Sequence, residues 1–508
     1  MMRTRRTVAT NGAREKISPR KFPVFILLPI TLLPKIVSPI ILLSMLTSCA
    51  LGPDYKRPAL EVPTEYRWQT EQDTGSAFGE LGWWQIYSDP ALRQTLNAAL
   101  AENLDVRIAA TRVEQARATL GSTRLQMFPQ ISGSAGVTRA KTSEYALLPG
   151  QNRIGETDTA AIGASYELDI WGRLRRSTEA ARAQFLASEY AKRGVAVSLV
   201  ADVATAYFTL VSLDEQLAVT RRTSATRHTF VDLTHAKHDR GVVSGLDVST
   251  ADAELATAEA NIPDLERQIA QTENRLSILL GKNPGEITRT TYSNGAGPLL
   301  PSPPAGLPST LLERRPDLLR AEQNLVAANA RVGVAKAALF PTISLTGNLG
   351  SRSAELSKLF TAPAAAWSVG AGLTLPLLDA QRNLYELDFA DASKREALLS
   401  YQQAVQNAFK EVADALVARE KFAQFQYAQE AKVAALRRAN QIALARYKIG
   451  YASYFDVINS DRDLFNAELS LSSASLNALL ASVQLYQALG GGWQTAQAPA
   501  TEDPAAAP

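Results

Sequence analysis

The chain has 508 residues with 53 Lys and Arg, 50 Asp and Glu, and a single cysteine, Cys49. One thiol excludes an intramolecular disulfide, a thiolate metal cage and a Cys-x-x-Cys redox pair. Eight of the basic residues lie within residues 1–48, so the rest of the chain is slightly acidic, and it has no Lys/Arg run with interleaved aromatics. This charge distribution argues against nucleic acid as a partner.

Residues 1–48 have the order of a secretory signal. Basic residues between Arg3 and Lys21 precede the apolar run FPVFILLPITLLPKIVSPIILLSML, and basic followed by apolar is the order of a signal peptide. Four prolines and Lys35 interrupt the run. It is therefore poorly suited to a membrane-spanning helix of about 20 residues. We expect this segment to be cleaved.

The stretch Leu46-Thr47-Ser48-Cys49 resembles a bacterial lipobox, in which the cysteine thiol receives a diacylglycerol and becomes the mature N-terminus. The alternative is a buried or incidental thiol. Ala50, rather than Asp, follows the cysteine, and in bacterial lipoproteins this resemblance favours the outer membrane. It implies a lipoprotein signal peptide at residues 1–48, lipidation at Cys49 and an acylated, extended segment at residues 49–82.

Two parts of the chain repeat each other. LQMFPQISGSAGV matches KAALFPTISLTGNL, and RGVVSGLDV matches IGYASYFDV. The separation of Arg173 from Gly241 is 68 positions, and so is that of Arg382 from Gly450. Chance similarity does not hold register over such lengths, so the sequence predicts two internal structural repeats.

The repeats define the predicted domain boundaries. Residues 83–281 form the first repeat and residues 311–493 the second, each predicted to contain a helix, two strands and a long helical hairpin. The Pro/Gly/Ser-rich residues 282–310 are predicted to be a linker, and residues 494–508 a disordered tail.

Each repeat contains two segments with strand-like alternation. In TAAIGASYELDI and WSVGAGLTLPLL, apolar residues fall on one face and small or polar residues on the other, and QISGSAGV and TISLTGNL alternate too. Lipid-facing barrel strands have this pattern, although a soluble sandwich strand has the same period. Four strands cannot close a membrane barrel, since such barrels begin at about eight strands and open edges are not tolerated in lipid. The chain must oligomerise if these strands span a membrane.

The longest predicted helices cover residues 174–238 and 383–447, which contain no proline. At about 1.5 Å per residue, each would extend nearly 100 Å. Small and apolar residues recur in both with a 3,4 spacing, as in Leu199, Val203 and Ala206. This heptad pattern predicts close, coiled-coil-like packing between neighbouring helices.

A tight turn is predicted after each long helix. Gly241 and Gly450 can adopt the left-handed conformation that ends a helix. Each is followed by a Ser-x-x-Asp sequence, GVVSGLD in the first repeat and GYASYFD in the second. Such a sequence is a variant of the capping box that begins a new helix. Each repeat is therefore predicted to send one helix far from the strands and to bring a second helix back.

These features together resemble the TolC-like outer-membrane efflux proteins, particularly the lipid-anchored group that serves drug-exporting pumps. The resemblance covers nearly all of the chain after Cys49 and is most specific in CALGPDYKRP, WWQIYSDPALRQTLNAALAENLDVRIAATRVEQAR, YELDIWGRLRR and LLERRPDLLRAEQNLVAANARVGVAKAALFPTISLTG. It implies an α+β membrane protein and a homotrimer. Its 12-stranded β-barrel, with four strands per chain, would continue into a long α-helical coiled-coil barrel.

The resemblance also implies a function and partners. The protein would be the outer-membrane channel of a tripartite efflux system, a passive exit duct for drugs or other small molecules that extends into the periplasm. Its partners would be a periplasmic adaptor (membrane fusion) protein, an inner-membrane pump and outer-membrane lipid. The alternatives are the outer-membrane duct of a type I protein secretion system, or a structural coiled-coil lipoprotein or adaptor. An adaptor would not need two strand pairs with one apolar face.

Enzyme chemistry finds little support in the sequence. His228, His235 and His238 are the three histidines, and no acidic or Cys ligand near them completes a convincing zinc set. HExxH, Walker A and Gly-x-Ser-x-Gly motifs are absent from the sequence. We therefore predict no enzyme activity, metal or cofactor, and export energy would come from a partner.

The turns and the helix starts that follow them are the candidate site. In the resembling family Asp456 has the spacing of an aperture aspartate and Arg462 matches a gate-contact position, while Asn459 stands where many members carry a second Asp. A ring of three carboxylates would favour cations, but capping is the competing role for Asp456 and for its repeat mate, Asp247. The resemblance places adaptor docking at the turns, whereas turn chemistry alone also demands Gly and Ser there. The predicted docking residues are Gly241, Val242, Val243, Ser244, Gly245, Gly450, Tyr451, Ala452, Ser453 and Tyr454.

Overall fold

A computed structural model of the chain describes residues 50–60, 62–68, 81–146, 152–290 and 308–493. The predicted signal peptide, Cys49 and the predicted C-terminal tail lie outside these residues. The described residues form long helices and one four-stranded sheet.

The same order of elements occurs twice: a helix, two strands and two long helices. The first strand of each half has 12 residues, and the returning helix of each half has 35 residues. This order agrees with the repeat in the sequence. The helices are α1 (Trp83–Ile86), α2 (Pro90–Glu102), α3 (Leu104–Leu125), α4 (Arg173–His238), α5 (Gly245–Leu279), α6 (Pro308–Arg314), α7 (Pro316–Ala337), α8 (Ala380–Lys448) and α9 (Tyr454–Ala488). The strands are β1 (Gln130–Lys141), β2 (Ile154–Leu168), β3 (Thr342–Ser353) and β4 (Ala365–Thr374).

The four strands form one antiparallel sheet in the order β1-β2-β3-β4. Strand β4 ends at Thr374 although the alternating pattern continues further in the sequence. Prolines lie on both strands beyond this point, since Leu375 would lie opposite Pro341 and is followed by Pro376, and neither proline has an N–H to donate. Strands β2 and β3, one from each repeat, pair with each other and so join the repeats within the sheet.

One face of the sheet is apolar and exposed in the single chain. Ile162 lies opposite Leu349, and Leu349 lies opposite Trp367. Directly opposed residues share a face of a sheet, so apolar side chains from neighbouring strands form one continuous surface. Its members are exposed to between 41% and 77%: Ile131, Val137, Ile162, Leu345, Leu349, Trp367, Val369 and Leu373.

The opposite face carries small and polar side chains. One row across the sheet consists of Ser132, Gly163, Asn348 and Ser368, in register on all four strands. Asn348 donates to the Ser368 hydroxyl at 3.4 Å. The division into an apolar and a polar face is the one that the alternation in the sequence predicts.

The long helices pack side by side through the predicted seam. Helix α4 has 66 residues and α8 has 69, which corresponds to a length of about 100 Å for each. On α4 the seam residues Leu199, Val203 and Ala206 are buried. Helix α3 packs on α4, α4 on α5 and α7, α7 on α8, and α8 on α9.

An aromatic core lies where the middle of α4 meets the end of α9. Trp83, Tyr87, Tyr207, Phe208 and Tyr486 are each at most 2% exposed. They come from α1, the residue after it, α4 and α9, so they join the first short helix to both repeats. The core fixes the long helices to each other well away from the sheet.

The first part of the predicted linker is attached to this region. Arg289 forms ion pairs with Asp214 on α4 and Glu273 on α5. The backbone N–H of Thr290 donates to the Tyr207 hydroxyl at 3.1 Å. Helix α6 begins at Pro308, three residues before the boundary expected from the sequence.

Candidate functional site

Both hairpin turns have the geometry that glycine permits. Gly241 has φ of 73° and Gly450 has φ of 81°, values that residues with a Cβ rarely adopt. After α4, the N–H of Gly241 donates to the carbonyl of His238 at 2.8 Å, and the N–H of Val242 donates to that of Lys237 at 2.9 Å. These two bonds satisfy carbonyls at the end of the helix, as in the Schellman motif. The turn prediction is confirmed.

The helices that follow both begin with a capping box. The Ser453 N–H and hydroxyl donate to Asp456 Oδ2 at 2.9 and 2.8 Å, and the Asp456 N–H donates back to the Ser453 hydroxyl at 3.2 Å. Ser244 and Asp247 make the same three bonds in the first repeat. The bonds from Ser453, hydroxyl first and backbone second, lower the pKa of the Asp456 carboxyl below its ordinary value. Capping is therefore an observed role of both aspartates.

Two further candidate gate residues lie on the next turn of α9. The Arg462 guanidinium donates to the Asn459 side-chain oxygen at 3.1 Å, three residues away on the same helix. Asp456 and Arg462 are exposed, and Asn459 is half-buried. All three lie within the first nine residues of α9, so the predicted gate residues of the second repeat are near one another on a single helix.

The turns themselves present apolar side chains. Val242 is 68% exposed and Tyr451 is 76% exposed, and Leu246 and Phe455 are exposed beside them. Tyr454 differs from the other predicted docking residues because it is only 7% exposed and packs with Ala251. Its ring is a packing group that joins the second turn to α5.

A buried arginine joins three helices near the turns. Arg227 on α4 donates to Asp461 on α9 at 2.8 Å, and it lies 3.1 Å from the carboxylate of Glu254 on α5. Its side chain is 6% exposed and lies over the Phe465 ring. The sequence analysis named Arg462 as a candidate gate residue but did not name Arg227. The available signal was heptad spacing, since Leu217, Thr220, Ser224 and Arg227 continue the seam of α4 at intervals of three, four and three.

A second cation contact lies closer to the turns. Lys237 Nζ donates to the Tyr447 hydroxyl at 2.9 Å and lies 4.2 Å from the centroid of that ring. Lys237 belongs to α4 and Tyr447 to α8, so this contact joins the two long helices. Together with Arg227 it attaches the hairpin of the second repeat to that of the first.

The three histidines lie along the end of α4. His228 lies 3.4 Å from Glu259, and His235 lies 3.1 Å from Asp252, so both face α5. Among the described residues, no three His, Cys, Asp or Glu side chains gather in a way that could hold a metal ion. These histidines are exposed members of an interhelical surface.

A sheet with one apolar and one polar face is typical of an outer-membrane barrel, and helices about 100 Å long extend from this sheet. The sequence model of the family described as outer membrane efflux protein matches residues 95–282 and 307–491. The chain belongs to this family, and it is an outer-membrane efflux channel. The resemblance found in the sequence is confirmed.

The similarity to relatives and to solved structures extends over almost the whole chain. The toluene efflux pump outer membrane protein TtgC of Pseudomonas putida is 36% identical over 464 residues, which are 89% of this chain and 95% of TtgC. The cation efflux system protein CusC of Escherichia coli K12 is 33% identical over 449 residues, 88% of this chain and 97% of CusC. The open state of the Neisseria gonorrhoeae MtrE outer membrane channel matches with a TM-score of 0.80 and 31% identity, covering 88% of this chain and 99% of MtrE.

Proposed function

We propose that three copies of this chain close a 12-stranded barrel in the outer membrane and continue it as a helical tunnel through the periplasm. The observation that carries the proposal is the sheet, which has one apolar and one polar face. Three sheets of four strands supply twelve, within the range of known outer-membrane barrels. The apolar face would meet lipid and the polar face would line the duct.

The edges of the chain favour a closed ring. Strands β1 and β4 are the outer strands of the sheet, and each has one edge without a partner among the described strands. An open edge is not tolerated in lipid, because its backbone groups find no water there. Pairing of β4 with β1 of the next copy removes every edge.

The helices connected to these two outer strands lie at the same two sides of the chain. Helix α3 leads into β1, and α8 follows β4. Both helices expose large apolar residues that a neighbouring copy would cover. On α3 these are Leu104, Ile108 and Leu125, and on α8 they are Tyr385, Phe389 and Leu399.

The chain would act passively within a tripartite efflux system. The proposed partners are a periplasmic adaptor at the hairpin turns and an inner-membrane pump that supplies the energy. The names of TtgC and CusC refer to toluene and cation efflux, and the proposed cargo here is drugs or other small molecules. A duct for type I protein secretion is the second candidate. A sheet with one apolar and one polar face disfavours a purely structural lipoprotein or adaptor.

The N-terminal segment supports lipid anchoring at Cys49. The N–H of Leu51 donates to the carbonyl of Trp171 at 3.0 Å, and Ala50 lies against Gly172. Gly172 immediately precedes α4, at the end of the sheet where the long helices begin. An acyl group on the preceding Cys49 would then lie at the periplasmic surface of the outer membrane.

A single-channel conductance measurement tests the duct. The purified full-length protein, reconstituted in a planar bilayer, is expected to give discrete ion-conducting steps. Chemical crosslinking of the same sample should yield trimers. A crosslinked trimer that never conducts would contradict the duct and would favour the structural lipoprotein.

Lipidation is tested by replacing Cys49 with Ser. We expect the Ser variant to take up no labelled palmitate, while its barrel still inserts into the membrane. The variant loses the diacylglycerol anchor, but a closed barrel is still held in the bilayer by its whole apolar belt. Labelled palmitate that is still incorporated into the variant would disprove lipidation at this position.

Docking at the turns is tested by replacing Val242 and Val243 with Asp. The change places two charges on an exposed apolar turn, so we expect crosslinking to the periplasmic adaptor to be lost. Trimer yield should stay at the level of the unchanged protein, because Val242 is 68% exposed. Loss of the trimer would instead indicate that these residues serve the turn itself.

The gate is tested with Asp456→Asn, which keeps some capping ability but removes the carboxylate. If three Asp456 carboxylates ring the aperture, the variant should lose cation selectivity and conduct more current in a bilayer. Thermal stability at neutral pH should fall only slightly, because Asn can still accept the hydrogen bonds from Ser453.

The pH dependence of the cap follows from the lowered pKa of Asp456. Its stabilising effect is complete above the pKa of an unfolded aspartate and is lost as pH falls through the lower, folded-state value. The protection of amides at the start of α9 against exchange, relative to their intrinsic rate at each pH, should therefore fall only in acid. Unaltered selectivity and conductance in the Asn variant would leave Asp456 as a helix cap alone.

A further inference from the structure

The segment just after Cys49 lies along the outside of both repeats. We call residues 50–60 the strap. Its first residues lie against Trp171 and Gly172 beside the sheet, and Leu60 reaches the aromatic core of the helices. The strap has no helix or strand of its own. Its position therefore depends on contacts with the groove between α4 and α7.

The floor of the groove is shaped by a glycine. Gly333 lies on α7 directly beneath Gly52 of the strap. A Cβ built on Gly333 would lie 2.7 Å from the Leu51 carbonyl oxygen and 2.9 Å from Arg176 Cγ. A side chain at this position would leave no room for the strap in its observed path.

The α4 side of the groove recognises the strap through Arg176. This guanidinium is 7% exposed and donates to Asp54 Oδ1 at 2.6 Å. It also donates to the carbonyl oxygens of Leu51 and Gly52, at 3.3 and 3.4 Å. One buried cation thus binds two backbone groups and one carboxylate of the strap.

The α7 side recognises the strap through Glu322 and Asn329. The Glu322 carboxylate is 11% exposed and accepts two hydrogen bonds from Arg57, at 2.8 and 2.6 Å. It also accepts one from the Tyr55 hydroxyl at 3.0 Å. Asn329 donates to the Pro53 carbonyl at 2.7 Å. A bidentate Arg–carboxylate pair of this kind sets both position and orientation.

The two walls of the groove come from different repeats, since α4 belongs to the first and α7 to the second. We propose that this groove is a peptide-binding site for a Gly-Pro-Asp-Tyr-x-Arg segment, and that its occupant is the strap of the same chain. The bound strap connects the two repeats through its contacts with both, and it holds the mature N-terminus beside the sheet. This role depends on the strap contacts and is separate from any acyl group on Cys49.

Trypsin cleavage after Lys56 measures whether the strap is bound. Lys56 is exposed, but a protease needs an extended, released segment, so cleavage follows the open population. In the full-length protein, Gly333→Ala is expected to speed this cleavage at least tenfold. The matched control is Gly194→Ala on α4, because a Cβ there would meet nothing closer than Pro316 at 4.0 Å. Equal cleavage rates in the Gly333 variant and the unchanged protein would overturn the proposal.

A charge exchange gives an independent test that leaves the glycines in place. Arg57→Glu sets two carboxylates against each other and should release the strap. Adding Glu322→Arg restores an ion pair with the charges exchanged and should slow cleavage after Lys56 at least tenfold relative to the Arg57→Glu variant. Both variants carry the same residue after Lys56, so their trypsin sites are identical. Rapid cleavage in the double variant would contradict recognition through this pair.

Discussion

Val369→Lys is expected to prevent insertion of the barrel into a bilayer, whereas Ser368→Lys, the change at the preceding residue, is expected to permit it. Val369 is 77% exposed on the apolar face of β4. Ser368 lies on the opposite face, in the polar row with Asn348. A Lys on the lipid face of a barrel costs about 2–4 kcal/mol near the bilayer midplane. A trimer would bear this cost three times, whereas a Lys facing the duct stays in water.

The measurement is the amount of trimer recovered from the outer-membrane fraction of cells that express each variant. Ser368→Lys should match the unchanged protein in yield and should alter only ion selectivity, since its charge would line the duct. Equal insertion of the two variants would contradict the assignment of the faces. If neither variant inserts, β4 tolerates no lysine on either face, and this result would also contradict the assignment of the faces.

Arg227→Met is expected to loosen the start of α9. The variant removes a buried cation and leaves the carboxylates of Asp461 and Glu254, about a quarter and a fifth exposed, without their partner. Breaking a buried ion pair in this way costs about 3 kcal/mol. Amide exchange in the first turns of α9 should therefore rise by a factor of roughly 100.

Hydrogen exchange followed by mass spectrometry measures this effect by region. Amides of the sheet serve as the internal reference, because Arg227 lies far from it along α4. The matched control is Arg462→Met on α9, whose exposed guanidinium contacts only the neighbouring Asn459 among the described hydrogen bonds. Unchanged exchange in the Arg227 variant would show that the three helices are held together by packing alone.

The turns, the capping boxes and the faces of the strands were predicted correctly from the sequence, because they depend on residues that are neighbours in the chain. Glycine at positions 241 and 450, and the Ser-x-x-Asp sequences after them, were sufficient to predict the turns and the capping boxes. The strand alternation likewise predicted which residues share a face, since the period of a strand is set by its own backbone. The bounds of the strands differed: β2 covers Ile154–Leu168 rather than residues 159–170, and β4 ends at Thr374 rather than continuing to residue 378.

Contacts between distant residues were not predicted. Arg227 and Asp461 are separated by 234 positions, and Arg57 and Glu322 by 265. A charged residue in a heptad seam can be buried or solvated, and only the neighbouring helix decides which. The same holds for Tyr454, which the sequence assigned to an exposed turn and which packs against Ala251.

The sequence by itself determined the repeat, the long helices, the two-faced strands and the family, because each of these rests on periodicity or on motifs along the chain. Only the tertiary structure decided that β2 pairs with β3 across the repeats and that the strap occupies the groove between α4 and α7. It also decided that Arg227 is the buried cation near the turns. The physical reason is that burial and hydrogen-bond partners are set by surfaces that meet after folding, and spacing along one element does not encode them.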